Sequence, residues 1–209
     1  MAKCVIFNAG AFDDLIEPIG TDDFVLAADG GLNHTTRLGI TPHAILGDFD
    51  SLGYIPEKAI CFPREKDDTD SMLAIRIGLE KGYRSFVLYG ALDGPRIDHS
   101  VANFQALQFL ADAGAQGFLV GSQFIATVIK DSSVVLNGTP DSLVSVFCLG
   151  ADASGVTLQG LKYPLNNATL SAGFPLGVSN RFAQSRASIC VEQGSLLILY
   201  DRSAGLPEE

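Results

Sequence analysis

One stretch, residues 44–51, restricts the fold of this chain more than any other. An apolar run ends in Gly47, and two carboxylates, Asp48 and Asp50, follow it directly. This order is typical of a buried strand that stops at an acidic loop, and alternate side chains of extended backbone share a face. Two close carboxylates repel each other, and Mg²⁺ with a bound phosphate is the usual compensation. The alternative is a surface turn with both acids in water.

The first half of the chain repeats this arrangement. Apolar runs of strand length alternate with helical patterns, as in residues 70–81, where Met72, Ile75 and Leu79 fall on one face behind a capping residue, Thr69 or Asp68. Such alternation predicts a parallel sheet covered by helices. After Gly121 the pattern changes to short β-type runs separated by turn residues.

These two patterns predict two domains. We expect residues 1–127 to form a Rossmann-like parallel α/β domain and residues 128–209 to form an all-β domain of β-sandwich type. In open α/β sheets, ligands bind outside the carboxyl ends of the strands. Acids follow four successive predicted strands: Asp29, Asp48, Asp50, Asp67, Asp68, Asp70, Asp93 and Asp98. Their clustering favours a polyacidic metal site over solvated turns.

Two familiar phosphate-binding motifs are missing, since the sequence contains neither a P-loop nor a G-x-G-x-x-G fingerprint after the first strand. The paired glycines after Asp29 let backbone N–H groups approach an anion, although a tight turn explains them equally well. Arg96 is a candidate phosphate ligand. His99 is a candidate base, although a single His at a helix start is more often a cap or a hydrogen-bonded core residue.

The composition of the chain limits the kinds of partner that it is expected to bind. The 209-residue chain has a formal net charge of −10, which disfavours nucleic acid and anionic membranes. We expect no membrane span, and the first residues lack the features of a signal peptide. The four cysteines are scattered and form no C-x-x-C pair, which indicates free thiols and a cytoplasmic protein.

The second half contains one polar cluster, residues 177–182, preceded by residues 160–165. Small polar side chains beside aromatic ones suit an organic ligand with a ring and hydrogen-bonding groups. The alternative is a loop and hairpin with ordinary turn residues. The sequence assigns no ligand contact to Tyr163.

Taken in order, these motifs resemble those of the thiamine pyrophosphokinase family along nearly the whole chain. The matching pieces are residues 29–31 with Asn33, 47–51, Asp67 with residues 69–70, 94–99, 160–165 and 179–180. The resemblance implies transfer of the pyrophosphoryl group of ATP to the hydroxyl of thiamine, with Mg²⁺ as cofactor. It also implies a homodimer with composite active sites, in which thiamine lies between one subunit's α/β domain and its partner's β domain.

The resemblance also implies roles for individual residues. Asp48, Asp50 and Asp70 are predicted Mg²⁺ ligands, and with Asp98 they form the catalytic set. Either Asp70 or Asp98 accepts the thiamine hydroxyl proton. The predicted ATP-binding residues are Asp29, Gly30, Gly31, Asn33, Asp67 and Arg96. The predicted thiamine-binding residues are Ser179 and Asn180.

Two other classes of protein fit part of the pattern. A Mg²⁺-dependent phosphohydrolase would use the same acids with water as acceptor, but it needs no second organic site. A non-catalytic nucleotide-binding module would hold many convergent carboxylates at an electrostatic cost without a purpose.

Overall fold

The computed structural model describes residues 2–47, 59–61, 68–94 and 96–208, with only the backbone for Cys61. In the first part of these residues, strands and helices alternate as the sequence predicts. Their bounds are β1 Cys4–Phe7, β2 Phe24–Ala28, α1 Gly31–Arg37, β3 Ala44–Gly47, β4 Ala59–Cys61, α2 Asp70–Glu80, β5 Ser85–Tyr89, α3 Ile97–Asp112 and β6 Gln116–Val120. The alternation predicted in the first half of the chain is thus present, with Phe24–Ala28 and Ser85–Tyr89 among the strands.

The rest of the chain is almost entirely β-structure. The strands are β7 Phe124–Lys130, β8 Ser133–Asn137, β9 Leu143–Cys148, β10 Ala153–Gln159, β11 Leu165–Leu170, β12 Gly177–Arg181, β13 Arg186–Cys190 and β14 Ser195–Asp201, and a 3₁₀ helix follows at Arg202–Ala204. None of the helices in the described part of the chain combines the length and apolar character needed to cross a bilayer.

The strands form two sheets. The larger has the order β12-β9-β14-β7-β6-β5-β1-β2-β3-β4, and the smaller has the order β11-β10-β13-β8. Strands β1 to β6 pair in parallel, whereas β7, β9, β12 and β14 pair antiparallel, as do all strands of the smaller sheet. The predicted class, α/β followed by a β-sandwich, is confirmed.

The larger sheet runs through the predicted domain boundary without a break. Residue 127 lies inside β7, which pairs with β6 on one side and β14 on the other. The Thr127 side chain is buried and donates to the Gly117 carbonyl oxygen at 2.8 Å. One sheet therefore joins the two predicted domains. Their division into residues 1–127 and 128–209 stays a prediction.

Different cores support the two halves. Apolar side chains from β7, β9 and β14 pack against those of β8, β10 and β13 between the two sheets. In the first half, α2 and α3 cover one face of the parallel strands. Contact there is close: a methyl group on Gly78 of α2 would lie 2.8 Å from Cys4 Sγ. Burial of apolar area on both sides of the sheet holds the strand ends in fixed positions.

Two strands, β11 and β12, were not predicted. Their sequences, LNNATL and GVSNR, are mostly polar, and each contains a residue with positive φ, Asn167 and Ser179. Each is the edge strand of its sheet, where only one side needs a hydrogen-bonded partner. The apolar alternation that identifies a strand is therefore absent from both.

A buried thiol and a buried phenol make the stability of this fold sensitive to alkaline pH. Burial raises the pKa of the Cys4 thiol and of the Tyr89 phenol to about 12 each. In the unfolded chain the pKa values of the thiol and the phenol are about 8.5 and about 10. Between those values and pH 12 the unfolded chain has lost protons that the folded chain keeps, so rising pH favours unfolding.

We expect the free energy of unfolding to fall by about 1.4 kcal/mol per pH unit for each group above its unfolded pKa. Urea unfolding at several pH values between 8 and 11 measures this slope. Cys4→Ala should remove the part of the slope that begins near pH 8.5 and keep the part that begins near pH 10. An unchanged slope in that variant would contradict the assignment to Cys4.

Candidate active site

The order of the parallel strands places a crevice beside β1. Strands β2, β3 and β4 extend from one side of β1, and the chain then returns to place β5 on the other side. At such a point the chain segments that follow β1 and β5 lead away from each other, and a crevice opens between them at the carboxyl edge of the sheet. A cavity of about 320 Å³ lies there, and its walls include Asn8 and Gly10 after β1 and Gly90 after β5.

Two glycines allow the loops after β1 and β5 to touch. The Gly10 N–H donates to the Gly90 carbonyl oxygen at 2.9 Å. A methyl group on Gly10 would lie 2.4 Å from that oxygen, and one on Gly90, where φ is +65°, would lie 2.5 Å from the Asn8 carbonyl oxygen. The contact therefore requires glycine at both positions, and the bare backbone it leaves can approach a ligand closely.

Two helices begin at this cavity. Thr69, Asp70 and Ser71 line it at the start of α2, and Arg96, His99 and Ser100 line it at the start of α3. Thr69 caps α2 by accepting from the Met72 N–H at 3.2 Å, as predicted. Helix N-termini carry partial positive charge and unpaired N–H groups, so two of them facing one cavity favour a polyanion.

Asp29, directly after β2, also lines the cavity. Its backbone has φ of +45°, an uncommon conformation for a residue other than glycine, and its N–H donates to the Leu46 carbonyl oxygen at 2.6 Å. A methyl group on Gly31, at the start of α1, would lie 1.9 Å from the Phe7 carbonyl oxygen. Strained backbone and close packing together fix Asp29 at the rim of the site.

The other residues predicted for ATP lie around this loop. Gly30 and Gly31 form the turn into α1, and Asn33 is exposed on that helix; these three do not line the cavity wall. Arg96 does line it. Asp67 lies outside the described residues, as do the predicted metal ligands Asp48 and Asp50. Their roles stay predictions.

Arg96 and Asp98 form an exposed ion pair at the start of α3. The guanidinium Nη2 is 2.5 Å from Asp98 Oδ2, and Nε is 3.2 Å from Asp98 Oδ1. The hydrogen bond from Arg96 lowers the pKa of Asp98 below its usual value. Asp98 does not line the cavity wall, whereas its partner Arg96 does.

Two polar residues that the sequence did not single out connect the cavity walls. Asn8 is 6% exposed, and its Oδ1 accepts from the Ser71 hydroxyl at 2.7 Å while its Nδ2 donates to the Tyr89 carbonyl oxygen at 3.2 Å. This amide joins the ends of β1 and β5 to the start of α2. A buried asparagine directly after an apolar strand was the available signal.

Asp93 illustrates an acid at a strand end that has a structural role. Its carboxylate accepts from the Ser122 hydroxyl at 2.8 Å and also from the Ser122 N–H. It thereby ties the loop after β5 to the turn after β6. The preference of aspartate for turns therefore explains why an acid stands at this position, although Asp93 also borders the cavity.

The predicted thiamine residues lie far from this cavity within one chain. Ser179 and Asn180 are in β12, six positions from β1 in the sheet, which corresponds to roughly 29 Å at about 4.8 Å per strand. Ser179 is exposed with φ of +59°. Asn180 is buried, and its side chain bonds to the backbone of Tyr163.

Comparison with known proteins identifies two matching family models. The model described as "Thiamin pyrophosphokinase, catalytic domain" matches residues 17–118. The model described as "Thiamin pyrophosphokinase, vitamin B1 binding domain" matches residues 133–196. Together the two matches cover more than half of the chain and lie on either side of residue 127.

Whole-length relatives agree with these matches. A thiamine pyrophosphokinase of Bacillus subtilis (strain 168) is 28% identical over 210 residues, covering 94% of this chain and 98% of that protein. A crystal structure of thiamine pyrophosphokinase from Bacillus subtilis superposes with a TM-score of 0.86 at 24% identity, covering 95% of this chain and 98% of its own. A crystal structure of thiamin pyrophosphokinase from Geobacillus thermodenitrificans superposes with a TM-score of 0.81 at 27% sequence identity. The match covers 96% of this chain and 97% of that one.

Proposed function

The chain belongs to the thiamin pyrophosphokinase family, and we propose on this basis how its cavity serves the reaction. The activity is thiamine pyrophosphokinase activity: the pyrophosphoryl group of ATP passes to the hydroxyl of thiamine, giving thiamine diphosphate and AMP. The single observation that supports the cavity as the site is its position, at the switch point beside β1 with two helix N-termini on its walls.

We propose that the polyphosphate of ATP lies between the starts of α2 and α3. N–H groups at both helix starts and the Arg96 guanidinium offer donors to phosphate oxygens, and the bare backbone at Gly10 and Gly90 leaves room for the phosphates to approach. Asp29, which also lines the cavity, is proposed to accept a hydrogen bond from the nucleoside. The volume of about 320 Å³ is at the lower end for a pocket that holds a molecule of this size.

Mg²⁺ fits this donor set. Among the described residues there is no group of three or more His, Cys, Asp or Glu side chains arranged to hold a metal. Mg²⁺ in phosphoryl-transfer sites, however, usually needs only one or two carboxylates besides phosphate and water. Asp70 supplies one at the cavity wall, and Asp48 and Asp50 are the proposed others. When bound, the ion neutralises charge on the phosphate oxygens.

We propose Asp70 as the better placed of the two candidate bases. The thiamine hydroxyl oxygen forms a bond to the β-phosphorus, the bond from that phosphorus to the AMP oxygen breaks, and the hydroxyl proton passes to a carboxylate. Asp70 lines the cavity and Asp98 does not. Arg96 also lowers the pKa of Asp98, which makes that carboxylate a weaker base.

We propose that the protein acts as a homodimer in the cytoplasm. The separation of β12 from β1 in the sheet supports composite sites, because it places Ser179 away from the cavity of its own chain. Cys4, Cys148 and Cys190 are free thiols, which supports a reducing compartment.

Complementation tests the composite site. Asp70→Asn and Asn180→Ala proteins are mixed, subunit exchange is verified, and turnover is measured at low thiamine. In a shared arrangement both lesions of a mixed dimer fall in one site and the other site is intact. We therefore expect about a quarter of wild-type activity. Mixed dimers without recovered activity would place each site within one subunit.

Product analysis tests the activity itself. With ATP, Mg²⁺ and thiamine we expect AMP and thiamine diphosphate in equal amounts, and little ATP consumption without thiamine. The phosphohydrolase alternative predicts thiamine-independent release of ADP or phosphate. The match of residues 133–196 to a vitamin B1 binding model does not support that alternative.

A further inference from the structure

One hydrogen bond joins helix α1 to the loop that follows β1. His34 Nε2 lies 2.9 Å from the Gly10 carbonyl oxygen. A carbonyl oxygen can only accept, so the ring nitrogen carries the proton and donates. Because the Gly10 N–H donates to the Gly90 carbonyl oxygen at 2.9 Å, both backbone groups of Gly10 have a partner at the point where this residue lines the cavity.

Packing holds the His34 ring in this orientation. The residue is half-buried, and its ring meets the Phe12 ring edge-on, with 4.8 Å between the ring centroids. Phe12 is buried, and its ring centroid lies 5.8 Å from that of Phe7 and 5.1 Å from that of Tyr89. Since Phe12 is fixed in a close-packed core, the imidazole beside it has little freedom to turn away from Gly10.

Helix α1 thereby connects two parts of the cavity lining. Asp29 lines the cavity just before the helix, and its carbonyl oxygen accepts from the Leu32 N–H at 3.2 Å. One turn into the helix, His34 binds Gly10, which lines the cavity after β1. His34 does not line the cavity itself. Its hydrogen bond therefore directs the Gly10 carbonyl oxygen towards α1 and fixes the position of Gly10 relative to Asp29.

We propose that His34 is a positioning residue for the polyphosphate of ATP. This inference rests on the proposed function, in which the phosphates approach the bare backbone at Gly10 and Gly90. Glycine backbone rotates more freely than that of any other residue. Without the imidazole, the Gly10 carbonyl can turn towards the phosphate oxygens, and two acceptor oxygens that face each other repel. His34 prevents this turn without contacting the nucleotide.

Steady-state kinetics of three variants give the first test. His34→Ala should raise KM for ATP about five- to thirtyfold, the effect of one lost hydrogen bond, and leave KM for thiamine and kcat near wild type. His34→Gln keeps an amide donor near the position of Nε2 and should restore KM for ATP. His34→Asn is one methylene group shorter and should not restore it. An unchanged KM for ATP in both His34→Ala and His34→Asn would overturn the proposal.

Arg37→Ala is the matched control on the same helix. Arg37 Nη2 donates to the carbonyl oxygens of Phe12 and Asp13 at 3.4 and 3.3 Å, in the same loop, and neither of these two residues lines the cavity. Removing the guanidinium loosens the loop but leaves Gly10 bound to His34, so KM for ATP should stay near wild type. An equal rise in KM in Arg37→Ala and His34→Ala would contradict a specific role of the Gly10 carbonyl.

Calorimetry gives a test that does not depend on turnover. The α,β-methylene analogue of ATP cannot transfer its pyrophosphoryl group, because a methylene group replaces the bridging oxygen at the bond that breaks. With Mg²⁺ present, its Kd should rise about five- to thirtyfold in His34→Ala. The Kd of AMP, which lacks the β- and γ-phosphates, should stay near wild type. Equal weakening of both ligands would overturn the assignment to the polyphosphate.

The outcomes separate this inference from the proposed function. A wild-type protein that binds the analogue but forms no AMP from ATP and thiamine would contradict the activity, and weaker binding in His34→Ala would still support the positioning role. Normal AMP formation with unchanged KM and Kd in the His34 variants would contradict the positioning role alone. Far-UV circular dichroism checks that each variant is folded.

Discussion

The Asp70→Asn variant is expected to lose about two to three orders of magnitude in kcat while it remains folded. Asp70 lies in the first turn of α2 and lines the cavity together with Arg96. We propose that its carboxylate acts on the transferring group, as a metal ligand or as the base. Removing one group that stabilises charge mainly in the transition state typically costs about 10²–10³ in kcat. Steady-state kinetics at saturating ATP, thiamine and Mg²⁺ measure the loss.

Asp68→Asn is the matched control for this variant. Asp68 lies two residues earlier, outside the cavity wall, and its Oδ2 is 3.0 Å from Arg76 Nε. An ion pair at the surface contributes at most about 1 kcal/mol to stability, so kcat should stay near wild type. Near-wild-type kcat in Asp70→Asn would exclude Asp70 from the chemistry. The sequence predicts the same loss for Asp48→Asn and Asp50→Asn.

The Gly31→Ala variant is expected to lose more than about 3 kcal/mol of unfolding free energy. The added methyl group would lie 1.9 Å from the carbonyl oxygen of Phe7, which is backbone of a buried strand and has little room to move. Helix α1 must shift away from β1, and Asp29, two residues earlier, shifts with it. We therefore also expect ATP to raise the thermal midpoint of this variant less than that of the wild type.

Gly39→Ala, just beyond the end of the same helix, separates packing from backbone strain. Gly39 has φ of +67° with no atom within 4 Å of an added methyl group. Only the left-handed backbone is strained there, which costs about 1 kcal/mol. Urea unfolding of the two variants beside the wild type gives the comparison. Equal losses would mean that α1 does not pack on β1 as closely as described.

Local sequence patterns were sufficient for most of the regular structure. The strand at residues 85–89 is apolar from Phe86 to Tyr89, and the helix after Thr69 combines a capping residue with apolar side chains at helical spacing. Burial and backbone geometry impose a characteristic spacing of apolar residues on each strand and helix. Such elements can therefore be predicted without knowing which other elements they contact. β11 and β12 lack the pattern because edge strands need little of it.

The cavity brings together some of the residues predicted for the site, whose roles stay predictions. Asp29, Asp70 and Arg96 line one cavity, as expected from their positions after strands and at helix starts. Asn8 and Ser71 were missed, since their hydrogen bond joins residues 63 positions apart. Asn180 was assigned to thiamine by the family resemblance and by its place in a polar cluster, and its side chain lies inside the fold. Polarity in a sequence does not distinguish a group that faces a ligand from one that holds backbone.

By itself, the sequence determined which segments are strands and helices, that acids follow the strands, and to which family the ordered motifs belong. The tertiary structure decided which strands are neighbours. Placing β5 beside β1 rather than beside β4 creates the crevice, and adding β7, β14, β9 and β12 to the same sheet moves Ser179 to its far edge. Strand order depends on pairings between distant segments, and local periodicity carries no information about which distant strand a given strand will meet.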